Sequence, residues 1–362
     1  MPFSLNIHCK KRQYIDMSAK QKVLVALSGG IDSAVTAALL MEQGFEVVGV
    51  YMQLLPGSAA GSADEGAALV AQELGIEFYS LDCRAQFADK VIDNFCHEYR
   101  CGRTPNPCVL CNRYLKFGRL LDFADQLGIE YLATGHYAMV DRTGAYPVLR
   151  RGKDRLKDQS YFLFTLNAEQ LGRVIFPLAD LTKQEVQQIA QIWNLSARHR
   201  GESQDICFIP DNDYVSFLEN QHLTLAGSGA IVHVNGEQLG QHHGSYRYTI
   251  GQRRGLGIAW SEPLYVVAID AVNNRVLVGE RHYLQTTTLR VEDVLWTQPQ
   301  ENFPLRVDCR IRYRHREAMA SVTLVAEHQV EVVFDQPQTG VTPGQSAVFY
   351  QDDCVIGGGW IK

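Results

Sequence analysis

The chain has 362 residues, of which 46% are hydrophobic and 20% charged, and its formal net charge is −6. This length exceeds what one hydrophobic core usually fills, so two or three domains are expected. No apolar run approaches the roughly 18 residues that span a bilayer, and residues 1–16 contain no apolar signal core, so we expect a cytoplasmic protein with no membrane partner. The net charge argues against a protein that is basic all over, but a nucleic-acid surface needs only a local positive cluster.

The nine cysteines are an odd number with irregular spacing, which does not resemble the disulfide framework of a small secreted protein. In a reducing compartment, thiol chemistry or a bound metal becomes the relevant interpretation.

The first half of the chain alternates hydrophobic strand patterns with helical patterns, which is typical of a parallel α/β sheet. Strands are predicted at 23–27, 46–52, 76–80 and 130–134, and helices at 32–43, 64–74, 84–99 and 113–127. We expect the sheet to end near residue 134 and the helical stretches 182–193 and 211–219 to belong to the same domain, which we assign to residues 21–219. Residues 1–20 carry no pattern and are expected to form a flexible extension, with Met17 as a plausible alternative start.

After residue 220 the pattern changes to short strands separated by glycines. Residues 220–284 predict a small β-rich central domain, in which Asn273 and Asn274 turn a hairpin. Residues 285–362 continue with strands and turn signals that are typical of a compact β-barrel.

The stretch SGGIDS, Ser28 to Ser33, lies between the first strand and the first helix. Backbone amides and the helix dipole at such a turn can hold phosphate oxygens, and glycines allow close approach. No GK[ST] follows, so the turn lacks the lysine of a Walker A loop. The structural alternative is a helix start that needs glycine for packing and Asp32 or Ser33 as a cap.

Two further patterns carry chemistry. In TPNPCVLCN, a loop stiffened by Pro105 and Pro107 precedes Cys108 and Cys111. This CxxC is compatible with a zinc site, a redox pair or two unrelated thiols. In CRIRYRHRE, arginines occupy alternate positions from 310 to 316, so on a strand they would form one phosphate-binding stripe; a solvated barrel face is the alternative.

The order of several motifs resembles the tRNA-specific 2-thiouridylases, the MnmA/TrmU family within the PP-loop ATP pyrophosphatase superfamily. The motifs are SGGIDS, GRTPNPCVLCNRYLKFG, ATGHYA, KDQSYFL, GESQDICFIP, YTIGQRRGLG, RYRH and PGQSAVFY. The resemblance covers nearly all the chain from Gln21. It implies a Rossmann-like PP-loop domain that adenylates O2 of the wobble uridine in tRNAs for Lys, Glu and Gln, after which sulfur displaces AMP.

The resemblance also implies roles for particular residues. Cys111 is the first catalytic cysteine, and Cys207 receives sulfur as a persulfide, so that turnover leaves a Cys111 to Cys207 disulfide. The implied ATP-binding residues are Ala26, Leu27, Ser28, Gly29, Gly30, Ile31, Asp32, Ser33, Met52 and Gly135, with Asp32 orienting Mg²⁺. The implied contacts to the target base are Asn106, Pro107 and Cys108. The implied tRNA-binding residues are His136, Lys157, Asp158, Gln159, Arg312, Tyr313 and Gln345. The implied sulfur donor is a cysteine desulfurase or a sulfur-relay protein.

Cys108 departs from the family pattern, because some members have aspartate at this position and a general base cannot be carried over. Three thiols, Cys108, Cys111 and Cys207, would instead suit a [4Fe-4S] cluster with one open iron that carries sulfur. The sequence leaves persulfide and cluster chemistry open. Rival hypotheses are another PP-loop ligase or amidotransferase, and a non-catalytic RNA-binding protein that uses ATP as a structural ligand.

Overall fold

A computed structural model describes residues 21–56, 63–199, 206–221 and 224–362. The predicted extension at 1–20 lies outside the described residues. The chain divides into two compact units. The first contains the described residues of the ranges up to 84, 112–202 and 353–355, and the second those of 85–111, 203–352 and 356–362.

Nine α-helices and seventeen strands occur among the described residues. The helices are α1 Ile31–Glu42, α2 Ala63–Leu74, α3 Arg84–Phe87, α4 Asp93–Arg100, α5 Pro107–Cys111, α6 Leu120–Gln126, α7 Ala168–Arg173, α8 Lys183–Ile192 and α9 Tyr214–Asn220. The π-helical segments Ala88–Ile92 and Asn112–Arg119 join α3 to α4 and α5 to α6. The strands before residue 200 are β1 Lys22–Ala26, β2 Glu46–Gln53, β3 Glu77–Asp82, β4 Tyr131–Ala133, β5 Ala138–Asp141, β6 Val148–Arg151 and β7 Val174–Ile175. The later strands are β8 Gly229–His233, β9 Gln238–His242, β10 Tyr265–Asp270, β11 Arg275–Gly279, β12 Gln285–Trp296, β13 Leu305–Arg310, β14 Ala318–Ala326, β15 Gln329–Thr339, β16 Ser346–Gln351 and β17 Cys354–Ile361.

The first unit is built on a parallel sheet with the strand order β3-β2-β1-β4-β7. Val23, Leu24 and Val25 of β1 are fully buried, as expected for a central strand covered by helices on both faces. The parallel sheet and its first four strands confirm the sequence prediction. The expectation that the sheet ends near residue 134 was wrong, because β7 pairs with β4 at Ala133 and Ile175. A two-residue strand is too short to leave a periodic signal.

The helix that carries the cysteine pair begins earlier than predicted. Its helical conformation starts with α5 at Pro107, whereas the apolar periodicity indicated residue 113. Cys108 and Cys111 therefore lie in a helical turn and not in a loop. Proline is well suited to the first helical position because it has no amide hydrogen to leave unpaired there.

The second unit contains two β structures. The four strands of the central domain are ordered β10-β11-β8-β9, and the predicted hairpin joins β10 to β11 through a turn in which Asn274 has a φ of 51°. The C-terminal strands follow the order β12-β15-β14-β13-β16-β17, and β17 also pairs with β12. This last pairing closes a six-stranded barrel, which confirms the predicted fold class.

The arginine-rich segment does not form the predicted strand. Strand β13 ends at Arg310, and residues 311–317 turn before β14 begins. Arg310 donates to the carbonyl oxygen of Tyr313, a local bond that stabilises the turn. The alternating arginines therefore do not share one strand face, and the predicted stripe was wrong in its geometry.

No helix in the described part of the chain is both long and apolar enough to cross a membrane.

Candidate active site

The predicted nucleotide-binding residues lie at the carboxyl edge of the parallel sheet. The strand order reverses at β1, which has β2 on one side and β4 on the other. In doubly wound sheets, the loops at such a reversal diverge and leave a crevice in which ligands bind. Residues 27–30 follow β1, Gly135 follows β4, and Met52 lies past the Ala26 to Val50 pair at the same end of β2.

Hydrogen bonds between its own residues shape the SGGIDS turn. The hydroxyl of Ser33 donates to the carbonyl oxygen of Gly30 at 2.9 Å and accepts the backbone amide of Ser28 at 3.1 Å. Gly29 has a φ of 75°, which favours glycine. Gly30 is the N-cap residue of α1 and makes no side-chain cap bond. The turn thus presents a helix N-terminus that no cap side chain covers, which is the arrangement that anion-binding turns use.

The loop after β4 packs closely against the start of α1. A Cβ atom added to Gly135 would lie 2.9 Å from the carbonyl carbon of Asp32, too close for a real side chain. The glycine is therefore required by the close approach of the two loops.

Two side chains hold the carboxylate of Asp32. The hydroxyl of Tyr137 donates to Oδ1 at 2.7 Å, and the ammonium of Lys183 lies 2.7 and 2.9 Å from the two oxygens. The Lys183 side chain is only 12% exposed. A cation, a phenol and a carboxylate thus meet at the glycine turn.

His136 is buried beside this cluster. Its Nδ1 lies 2.7 Å from the hydroxyl oxygen of Thr134, and its ring packs against Phe117 and Phe176. Burial, with a smaller effect of Lys116, holds the pKa of the imidazole well below its usual 6.5. The ring is therefore neutral at pH 7, and its position is that of a packing residue at the edge of the site.

The KDQ segment is organised largely by bonds within its own unit. Asp158 is buried and accepts the amides of Gly152 and Ser160. Gln159 accepts the backbone amide of Tyr137 through Oε1 at 3.0 Å. Lys157 is partly exposed. Asp158 and Gln159 thus shape the loop and fix Tyr137, while Lys157 is the member of the three whose charge reaches the surface.

Both candidate catalytic cysteines belong to the second unit, and elements next to each of them pack on the helical region 84–100. Helix α5, which contains Cys111, contacts the π-helical turn Ala88–Ile92. Phe208, next to Cys207, packs edge-on against Phe87 and Phe95, on the two sides of that turn, with ring centroids 5.5 and 5.3 Å apart. The helix that contains Cys111 and the residue after Cys207 therefore pack on neighbouring parts of one helical region, although the two cysteines are far apart in sequence.

The three thiols differ in exposure. Cys111 is 8% exposed, whereas Cys108 and Cys207 are exposed. Elsewhere, burial raises the pKa of Cys83 and Cys96 to about 11. Those two thiols are protonated at neutral pH and are poor nucleophiles.

The described residues do not fit an iron-sulfur cluster. Within that part of the chain, which includes Cys108, Cys111 and Cys207, no group of three or more His, Cys, Asp or Glu side chains converges as a metal site would require. Mg²⁺ has a different requirement, because it is commonly held by one or two carboxylates together with substrate phosphates. Asp32 at the glycine turn fits that requirement.

A barrel loop holds the segment in front of the cysteine helix. The side-chain amide of Gln345 donates to the carbonyl oxygens of Thr104 and Pro105 at 2.9 and 3.2 Å, and the amide of Thr104 donates to Pro343 at 2.8 Å. We call these contacts the carbonyl clamp. Gly344 lies within the carbonyl clamp and has a φ of 88°, which favours glycine. A Cβ added to Gly344 would lie 3.0 Å from the carbonyl oxygen of Thr104, which is a tight contact.

Arg312 supports the same barrel loop. Its guanidinium donates to the carbonyl oxygen of Gly340 and to the hydroxyl of Thr342. Arg312 and Tyr313 are half-buried, whereas Arg314 and Arg316 are exposed.

Comparison with known proteins decides the family. Three family models match successive parts of the chain: a tRNA methyl transferase HUP domain at 21–211, a tRNA methyl transferase PRC-barrel domain at 216–280 and an aminomethyltransferase beta-barrel domain at 286–361. The tRNA-specific 2-thiouridylase MnmA of Syntrophotalea carbinolica is 52% identical over 95% of this chain and 100% of its own length. The protein of the same name from Trichlorobacter lovleyi is 49% identical over 94% and 97%. The chain belongs to the tRNA-specific 2-thiouridylase family.

Among solved structures, the U34-tRNA thiolase NcsA from Methanococcus maripaludis, with its [4Fe-4S] cluster, matches with a TM-score of 0.36 and 18% identity, covering 56% of this chain and 65% of that one.

The sequence reasoning missed Tyr137 and Lys183, which hold Asp32 of the glycine turn, and Asp154, which accepts the backbone amide of Lys183. The only local signal near Lys183 was the capping box of Thr182 and Glu185, which marks the start of α8. That signal predicts a helix but not the side chain's destination.

Proposed function

We propose that the chain is an ATP-dependent sulfurtransferase that converts the wobble uridine of tRNAs for Lys, Glu and Gln to 2-thiouridine. The observation that carries the proposal is the 52% identity to a tRNA-specific 2-thiouridylase over 95% of the chain. The glycine turn at the sheet edge supports the same chemistry, as does the packing of α5 and of Phe208, next to Cys207, on one helical region.

The first step activates the base. The uracil O2 attacks the α-phosphorus of ATP, the bond to the β-phosphate oxygen breaks, and pyrophosphate leaves. The ATP-binding residues that the family resemblance implies would hold ATP at the edge formed by β1, β2 and β4. Mg²⁺, held by Asp32 and phosphate oxygens, would offset negative charge on the leaving pyrophosphate.

The second step delivers sulfur. The terminal sulfur of a Cys207 persulfide attacks C2 of the adenylated base, and AMP leaves with the original O2. The Cys111 thiolate then attacks Sγ of Cys207, which breaks the S–S bond and releases the thiolated base with both electrons of that bond. The resulting Cys111 to Cys207 disulfide needs two electrons from an external thiol reductant before the next cycle. No step of this proposal uses iron.

The RNA-facing roles extend the proposal. Asn106, Pro107 and Cys108 would contact the flipped base, and the exposure of Cys108 at the start of α5 supports this. Lys157 of the first unit, and Arg312 and Tyr313 of the second, would contact RNA. The family resemblance implies the same role for His136, Asp158 and Gln159 of the first unit and for Gln345 of the second. Exposed Arg314 and Arg316 add two further cations.

The sulfur donor in this proposal is a cysteine desulfurase or a sulfur-relay protein. The exposure of Cys207 supports such a partner, because the Cys207 thiolate must reach the terminal sulfur of the partner's persulfide and release the partner's cysteine as a thiolate.

The test is a thiolation assay with tRNA, ATP and a persulfide donor, namely a cysteine desulfurase supplied with cysteine, read by mass spectrometry of the nucleosides. We expect Cys111→Ser and Cys207→Ser each to reduce 2-thiouridine by at least about a thousandfold, as for loss of a nucleophile. Cys101→Ser is the matched control, because Cys101 is exposed and lies in the same unit but has no role in the proposal.

Binding of tRNA by the two variants is expected to be unchanged. Wild-type 2-thiouridine formation by either variant would refute the cysteine assignment. Pyrophosphate release that is independent of tRNA and insensitive to both substitutions would instead favour a PP-loop ligase.

A further inference from the structure

A lysine from a distant segment lies at the SGGIDS turn. The SGGIDS turn lacks the lysine that a Walker A loop places on its phosphates. In the folded unit, the ammonium of Lys183 reaches Asp32 of this turn from 151 residues further along the chain. Both residues belong to the first unit.

The backbone of Lys183 is fixed independently of its ammonium group. Lys183 is the first residue of α8, whose N-cap Thr182 forms a capping box with Glu185. Its backbone amide also donates to Oδ2 of Asp154 at 3.0 Å. The other oxygen of Asp154 accepts the amides of Leu156 and Lys157. The side chain therefore extends from a held backbone, which reduces the entropy lost when the ammonium binds a ligand.

The ammonium is a largely buried charge held at the glycine turn. The group is 12% exposed, lies 5.9 Å from the centroid of the Tyr137 ring, and has the carboxylate of Asp32 as a counter-charge. Asp32 is the second residue of α1, two positions after the N-cap Gly30, where the helix dipole favours negative charge. A polyphosphate bound at the start of α1 would approach the ammonium of Lys183. That ammonium already binds one anionic group, the carboxylate of Asp32.

We propose that Lys183 is a nucleotide-binding residue whose ammonium contacts the phosphates of ATP while Asp32 holds it in place in the unliganded turn. This assignment rests on the proposed function in that ATP is the substrate of the site. It gives the turn the positive charge that its own sequence lacks.

The test measures ATP binding by equilibrium dialysis, without tRNA or sulfur, for the unaltered chain, Lys183→Met, Lys183→Arg, Asp32→Ala and the double variant. We expect Lys183→Met to raise the Kd for ATP about tenfold or more, as for loss of a charged hydrogen bond. The Kd for adenosine is expected to change less than twofold, and Lys183→Arg to restore part of the ATP affinity.

The double variant separates phosphate contact from mere support of Asp32. If Lys183 contacts phosphate, adding Lys183→Met to Asp32→Ala still lowers ATP affinity. An ATP affinity equal to that of Asp32→Ala alone, or an unchanged Kd in Lys183→Met, would overturn the assignment. If Lys183→Met does not fold, Lys183→Gln with Asp32→Asn, compared with Asp32→Asn, removes both charges and gives the same comparison.

The outcomes also separate this assignment from the proposed function. A chain that binds ATP through Lys183 but forms no 2-thiouridine would reject the function and retain the assignment. If the unaltered chain thiolates tRNA and Lys183→Met binds ATP with the same Kd, only the assignment is rejected. If the unaltered chain binds no ATP at all, both are rejected.

Discussion

His136 shows at the scale of one residue how burial decides a role. Its ring contacts Thr134, Phe117 and Phe176, and burial lowers its pKa well below 6.5. A neutral imidazole attracts phosphate far less than an imidazolium, so any contact with RNA at neutral pH would depend on shape and hydrogen bonding.

We expect the His136 ring to remain neutral until the pH is well below 6.5. As the pH falls, the unfolded chain binds this proton at a higher pH than the folded chain does. The free energy of unfolding therefore keeps its full value above pH 6.5 and declines below it, by at most about 1.4 kcal/mol per pH unit. The pH at which the His136 ring takes up a proton can be measured from its ring ¹⁵N chemical shifts as a function of pH. The signal that disappears in His136→Gln identifies the ring. A midpoint at 6.5 or above would contradict the burial argument.

At this scale the sequence predicted the position of the SGGIDS turn, because SGGIDS stands between a buried strand and a helix. Its serines form hydrogen bonds within the turn itself. It could not predict the pairing of Lys183 with Asp32. The two residues are 151 positions apart, and no periodicity links a helix start to a distant carboxylate.

At the scale of elements, the carbonyl clamp sets the position of the segment that leads into α5. Gln345 directly precedes β16, and its amide bonds the carbonyl oxygens of Thr104 and Pro105. The family resemblance implied a tRNA contact for Gln345, and the clamp adds a supporting role within the protein.

We expect Gln345→Ala to speed hydrogen exchange of the amides of residues 106–111 by about thirtyfold, because two bonds of about 1 kcal/mol each hold this segment. Gln351→Ala is the control, since Gln351 ends the same strand and bonds the carbonyl oxygen of Arg306. Hydrogen exchange with mass spectrometry measures both. Equal exchange in the two variants would show that the clamp does not stabilise the segment.

Element boundaries were predicted best where the pattern was long. The helix starting at Pro107 was missed because only its later residues show apolar periodicity, although proline itself is a helix-start signal. The arginine segment was misread because alternation of charge fits both a strand and a turn. Arg310 and Arg312 donate hydrogen bonds to backbone carbonyl oxygens, and the order of residue types along the chain does not predict such bonds.

At the scale of the whole molecule, closure of the barrel depends on glycines in β17. A Cβ on Gly359 would lie 2.5 Å from the carbonyl oxygen of Glu292 in β12, the strand with which β17 closes the sheet. The fold class was predictable from strand spacing, but this closing contact was not, because it joins the first and last strands of the barrel.

We expect Gly359→Ala to destabilise the barrel by about 1 to 3 kcal/mol, the usual effect of overpacking. Gly227→Ala is the matched control, since no atom lies within 4 Å of its added Cβ. Differential scanning calorimetry of both variants measures the effect. Identical melting profiles for Gly359→Ala and the unaltered chain would mean that the β12 to β17 seam relaxes without cost.

The carbonyl clamp has a consequence for how such a protein can be recombined. The groups that hold Thr104 and Pro105 come from a loop some 240 residues later in the chain. A chimera that exchanged the C-terminal third alone would bring a foreign loop against the native cysteine segment. The two pieces would have to be transplanted, and over evolutionary time inherited, as a matched pair.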